Sequence, residues 1–141
     1  MTAEPRGPRI RQVVLDTDDA RSLAEFYRRF FFLTYRAGDE PPPPGEADER
    51  GRDWLVLHGD DGLGLAFQQV EDAPRSTWPE HGQAQMLHLD TTVDSAAELL
   101  RQRDRALELG ASLLLDRFDD PEEPLYVFAD PAGHPFCVFV G

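Results

Sequence analysis

Two stretches of this chain echo each other. Leu15-Asp16-Thr17 leads through acidic residues into a helical pattern, and Leu89-Asp90-Thr91 does the same through Asp94. A second alignment, anchored on the helix starts, sets Gln12 opposite His88. The two registers differ by two residues, so both keep those residues on equivalent strand faces. A repeated strand-into-helix unit cannot bury its apolar face alone, and two copies fold against each other. The surrounding pattern completes the unit. Arg9 to Thr17 alternates as a strand, and Asp18 or Asp19 caps a helix whose stripe is Leu23, Ala24, Tyr27, Phe30 and Phe31. A strand follows from about Phe32 to Arg36. Asp53–His58 and Gly62–Val70 make two more around the turn residues Gly59-Asp60-Asp61-Gly62. In the second half, a strand over Gln85–Val93 runs into a helix from Asp94 or Ser95 to Leu109, which Gly110 ends. Its stripe is Ala96, Leu99, Leu100, the Arg103 stem, Ala106 and Leu107. Strands follow over Ala111–Asp116, Leu125–Ala129 and Pro135–Val140, the last two joined by the tight turn Asp130-Pro131-Ala132-Gly133-His134.

The order is strand, helix, three strands, twice over: an α+β chain of two tandem βαβββ modules whose sheets curve around a shared cleft, with helices outside. A single domain is expected over 9–141, with module 1 at about 9–70, a linker at 71–84 and module 2 at about 85–141. Residues 1–8 read as a disordered leader. Four consecutive prolines, Pro41 to Pro44, make 38–52 an extended, mobile loop.

The chain carries a formal net charge of −13. Phosphate backbones and anionic membrane surfaces repel such a surface, so no nucleic acid and no membrane are expected as partners. No apolar run approaches the ~20 residues that span a bilayer. The N-terminus has no hydrophobic segment of a secretory signal. Cys137 is the only cysteine, which rules out an intrachain disulfide and makes a reducing cytoplasm the expected compartment. Dinucleotide, phosphate-loop and serine-elbow motifs are absent.

The strand before the second helix holds the most suggestive chemistry. Alternation puts Met86, His88 and Asp90 on one face and Leu87, Leu89 and Thr91 on the other. Apolar residues would be cheaper to bury on that first face, so it reads as the wall of a polar pocket. His88 can serve there as a general base with Asp90 as its neighbour; side chains two apart on a strand project about 6–7 Å from one another. The bland alternative is an inward-facing histidine with no catalytic role. Trp78 and Tyr126 suit a cleft mouth, where amphipathic rings meet ligands, and Trp78 equally suits a lid anchor. His134 sits in a turn. His58 and His81 receive no role.

Several motifs in this order resemble the vicinal-oxygen-chelate superfamily of glyoxalases, bleomycin-resistance proteins and extradiol dioxygenases, its glyoxalase-like branch above all. They are Asp18-Asp19-Ala20-Arg21-Ser22-Leu23-Ala24-Glu25-Phe26-Tyr27, Leu65-Ala66-Phe67-Gln68, His88-Leu89-Asp90, Ala106-Leu107-Glu108-Leu109-Gly110-Ala111 and Asp130-Pro131-Ala132-Gly133-His134-Pro135-Phe136. The resemblance implies an eight-stranded, incompletely closed barrel and, commonly, a homodimer. It also implies that metal-using members place ligands at the positions of Gln12, about Ala66, His88 and Cys137. Ala66 cannot ligate, and Gln68 on the same face is an uncharged substitute. Cys137 stands where a carboxylate is usual, a soft ligand for a hard one. No cofactor is therefore expected. A divalent metal, if present, would sit on Gln12, His88 and Cys137.

Three functions fit. The first is a protein that binds a small organic molecule in the cleft through Gln12, Gln68, His88, Cys137, Trp78 and Tyr126, without a tightly bound metal. The second is a lyase, isomerase or dioxygenase using His88, with or without an atypical metal site. The third is a non-catalytic interaction module.

Overall fold

A computed structural model of the chain describes residues 7–60 and 62–141. Of the expected leader only Gly7 and Pro8 fall within it, and both are exposed coil; the rest of the leader, and Asp61 of the turn motif, lie outside the described residues. Strand β1 (Gln12–Thr17) leads into helix α1 (Ala20–Phe31), then β2 (Thr34–Tyr35), β3 (Trp54–His58) and β4 (Gly64–Gln69). The second half repeats this with β5 (Leu89–Val93), α2 (Ala96–Leu109), β6 (Ser112–Arg117), β7 (Leu125–Ala129) and β8 (Pro135–Val140). The result is two four-stranded mixed sheets in the orders β1-β4-β3-β2 and β5-β8-β7-β6. β1 pairs with β4, and β5 with β8, in parallel; the other neighbours are antiparallel. The sheets do not close on each other, so the architecture is α+β with two tandem modules and an open barrel-like arrangement.

The helix starts have clear local causes. Asp19 accepts from Ser22 N at 3.1 Å and Ser95 accepts from Glu98 N at 3.1 Å, so both helices begin on a side-chain cap. Gln69 adds a tie from the sheet: its Oε1 accepts from Ala20 N at 2.8 Å while its Nε2 donates to Asp18 O at 2.6 Å. Gly110 ends α2 at φ 113°, in the left-handed region that a glycine enters freely.

One core joins the modules. Leu15, Leu55, Leu57 and Phe67 from the first sheet pack with Tyr126, Phe128, Phe136 and Val138 from the second, and α1 lies among them. Phe26, Tyr27, Phe30 and Phe31 of α1 hold ring centroids 5.8, 6.3, 5.8 and 6.1 Å from Phe136 of β8. The Tyr27 hydroxyl donates to Asp130 Oδ2 at 2.7 Å, a buried bond between the modules. Asp130 also accepts from Ala132 N and His134 N at 2.8 and 3.0 Å.

Several expectations need correction. The first strand of module 2 starts at Leu89, not Gln85, because only from there does β8 offer a partner. α2 buries Leu99 and Ala106, whereas Leu100 and Leu107 are exposed; its contact face is rotated toward Gln102, Arg103 and Leu109. The proline-rich loop is pinned rather than mobile. Arg21 grips Asp48 with Nε and Nη2 at 2.8 and 2.9 Å, and fully buried Asp39 accepts from Val56 N, Arg36 and Arg50. Charge-assisted bonds of this kind offset the entropy of ordering a loop whose prolines have little to lose.

Candidate functional site

Each sheet has one face turned to the shared core and one without a helix. Strand alternation decides which residues occupy the second face. On β1 and β4 these are Gln12, Val14, Asp16, Gly64, Ala66 and Gln68, since Leu15 and Phe67 take the core side. On β5 and β8 they are Asp90 and Cys137, opposite each other in register, with His88 just before the strand.

His88 Nε2 lies 3.3 Å from Asp90 Oδ1, so the two expected catalytic residues do meet. Their side chains are 50% and 62% exposed, which leaves this contact worth well under about 1 kcal/mol to the fold. His88 lies before β5, outside the regular strand, so the separation that a regular strand imposes does not hold for it. Cys137 is half-buried, and its thiol is pushed up to about 11 by burial first and by the charges of Asp90 and Glu123 second. At neutral pH it is a neutral thiol and a poor ligand or nucleophile. The Cys137 carbonyl accepts from Thr91 Oγ1 at 2.8 Å, which ties β5 to β8 beneath the site.

On the other sheet, Gln12 is half-buried and Gln68 is exposed, with Asp16 and Trp54 as its ladder neighbours. His58 is a residue that sequence reasoning passed over. It flanks Gly64 opposite Gln12: a Cβ on Gly64 would meet His58 Nδ1 at 3.3 Å and Gln12 Cβ at 3.6 Å. The bare glycine leaves a notch bounded by the imidazole, the Gln12 Cβ and, nearest to that added Cβ at 3.1 Å, the Leu57 carbonyl oxygen. The sequence signal for it was the alternation through Asp53–His58, which puts His58 on the same face as Trp54.

Trp78 is half-buried in the linker, with its backbone N–H donating to Ser76 Oγ at 3.2 Å. Tyr126 is not at a cleft mouth. It is 1% exposed on the core side of β7, stacked on Phe118 at 5.9 Å. Arg103 donates to its hydroxyl at 3.3 Å, which satisfies the polar end without a ligand. Strand parity explains the difference: Tyr126 shares its face with Phe128, and the free face of β7 belongs to Leu125, Val127 and Ala129.

Gln12, Gln68, His88 and Cys137 do not fit a divalent ion within one chain. Two are amides, one is a neutral thiol, and Ala66 sits where a fourth donor would be wanted. No three His, Cys, Asp or Glu among the described residues are grouped as ligands.

A groove of about 820 Å³ lies elsewhere, on the helix-covered side where the modules meet. Val13, Leu65, Leu89 and Val138 form apolar wall, and the end of α1 and Arg105 of α2 border it. Among the expected site residues, only Asp90 lines it.

No helix among the described residues is long and apolar enough to cross a membrane. The chain matches no protein of curated function. Solved structures match its fold over nearly the whole length. A glyoxalase/bleomycin resistance protein/dioxygenase family enzyme from Burkholderia phytofirmans is similar at TM-score 0.66 and 14% identity, covering 94% of this chain and 98% of that one. The fosfomycin resistance protein FosX from Mesorhizobium loti is similar at TM-score 0.63 and 18% identity, covering 98% and 94%. Lactoylglutathione lyase from Agrobacterium tumefaciens is similar at 0.59 and 20%, covering 97% and 96%. The family model for the glyoxalase-like domain matches residues 12–139. The chain therefore belongs to the glyoxalase-like family of the vicinal-oxygen-chelate superfamily.

Proposed function

We propose that the protein binds a small organic molecule between the free faces of its two sheet types, without a tightly held metal, and that a second copy of the chain completes the cleft. One observation carries this reading. The helix-covered faces of both sheets share a single core, while His88, Asp90 and Gln68 stand exposed on the opposite faces. A polar face backed by a packed core, and left uncovered in the single chain, suits a ligand held against a second subunit. Gln12, His58 and Gln68 of one copy would then face His88, Asp90 and Cys137 of the other. They supply hydrogen-bond donors and acceptors with Asp90 as the one carboxylate among them, which is the lining of a site for a polar organic molecule. A reducing, cytoplasmic setting suits the lone thiol.

A second reading, catalysis by His88, rests on its 3.3 Å contact with Asp90, which would orient the ring for proton transfer. The solved relatives carry names from resistance and lyase chemistry, so bleomycin and fosfomycin are reasonable first probes.

The test combines light scattering with mixed variants. The protein should run as a dimer. A copy bearing Gln12→Ala and Gln68→Ala, mixed with one bearing His88→Ala and Asp90→Ala, should recover about a quarter to a half of the probe binding that each lacks alone. A monomer that binds a probe fully, or a mixture that recovers none, overturns the shared cleft. His88→Gln separates the two roles: sequestration keeps its affinity, whereas catalysis stops.

A further inference from the structure

The groove on the helix-covered side is lined by none of Gln12, His58, Gln68, His88 and Cys137, and it shares only Asp90 of β5 with the site above. We propose that it is a second binding site, for an amphipathic monocarboxylate. Its volume of about 820 Å³ falls within the range of small-molecule sites, and its floor of Val13, Leu65, Leu89 and Val138 offers an apolar body continuous hydrocarbon contact.

The polar end is specified by Arg105. This guanidinium is half-buried and borders the groove. It donates to Arg29 O at 3.0 Å, to Phe30 O at 3.4 Å and to Gln102, yet it forms no ion pair with a carboxylate among the described residues. In a chain of net charge −13, this guanidinium is held by carbonyl oxygens alone beside an apolar groove, so its charge is left for an anionic ligand. Its Nε–H has no partner among the described residues. Asp60 also lines the groove, so an anionic head is driven away from it and toward Arg105.

Phe32 supplies a separate observation. It lines the groove at the end of α1 in the left-handed region, φ 55° and ψ 49°, with 81% of its surface exposed. A bulky residue there costs about 1–2 kcal/mol in backbone strain, and leaving the ring in water forgoes the return of burying it. The structure shows one compensation: Arg105 Cζ sits 5.0 Å from the ring centroid and 5.2 Å from that of Phe30. An aromatic lip clamped to a guanidinium, beside an apolar floor, would be covered by the hydrocarbon of a bound carboxylate.

Octanoate is the probe, with 1-octanol as its neutral counterpart, in calorimetry and amide chemical-shift titrations of the full chain. Octanoate should saturate one site per chain and shift Val13, Leu89 and Val138. Arg105→Gln should weaken octanoate about tenfold, the loss of one charge-assisted contact, and leave octanol unchanged. Arg105→Lys should keep the affinity within about threefold, because the charge remains. Leu63→Trp, at an exposed position on the groove's edge, should block both ligands and decides the matter if Arg105→Gln does not fold. The proposal is overturned by no saturation at millimolar octanoate, by shifts confined to His88 and Cys137, or by Arg105→Gln and octanoate proving indifferent to each other.

Discussion

Cys137 shows how one side chain's surroundings set its chemistry. Burial and the neighbouring Asp90 hold the thiol neutral up to about 11. Alkylation by iodoacetamide at pH 8 should therefore be slower than for an open thiol by about two orders of magnitude, and Asp90→Asn should speed it. An alkylation rate equal to that of free cysteine at pH 8 would show the thiolate to be available. The paired carboxylates behave in the opposite sense. Asp48 is held below its ordinary value by the Arg21 guanidinium, and Glu25 by Arg28. A lowered folded value means stability that is present above the unfolded value of about 4 and lost as pH falls through the folded one. Both pairs are partly open to solvent, so the loss for each is below about 1 kcal/mol. The Asp48→Asn variant should show a shallower fall in melting temperature below pH 4 than the parent.

At the scale of elements, the two helices differ in how firmly the fold holds them. α1 buries six residues and takes a cap from Asp19 and another from Gln69 across the sheet; α2 buries two and depends more on its own ends. Gly110→Ala places a Cβ in ordinary van der Waals contact, 3.6 Å from Pro131 Cγ, so its cost is the backbone term alone. Chemical denaturation should report a loss of about 1 kcal/mol. Asp19→Ala should lose a similar amount, and Gln69→Ala should weaken the same helix start although it lies fifty residues away in the chain, as hydrogen exchange at Ala20 and Ser22 would reveal. The Asp19 cap was legible because aspartate before a periodic apolar run marks a helix start. The Gln69 cap was not, because nothing local distinguishes it from Gln68.

For the molecule as a whole, the Tyr27–Asp130 bond joins the modules. Asp130 is raised above its ordinary value by burial, with the Tyr27 hydroxyl and the two backbone N–H groups pulling it down. A raised folded value means a contribution fully present below the unfolded value and lost as pH rises through the folded one. Tyr27→Phe removes the strongest of the restraining bonds. It should raise the Asp130 value further and lower stability by about 1–3 kcal/mol, read by urea unfolding and by carboxyl carbon NMR of Asp130. Unfolding that becomes biphasic would show that this bond couples the modules; a single weaker transition would assign the coupling to the aromatic cluster around Phe136.

The sequence by itself determined the repeated unit, its element order and which strand faces are polar, because each depends on spacing of two or 3.6 residues and on caps that act locally. It could place His88 and Asp90 on one face and leave Cys137 without a charge to share. Only the tertiary structure decided what those faces look at. That the helix-covered sides merge around Phe136, that Tyr126 is sealed in the core, that His58 borders the Gly64 notch and that Arg105 stands over a groove all follow from contacts between residues far apart in the chain. Such contacts are settled by how two curved sheets pack, and no local periodicity encodes them.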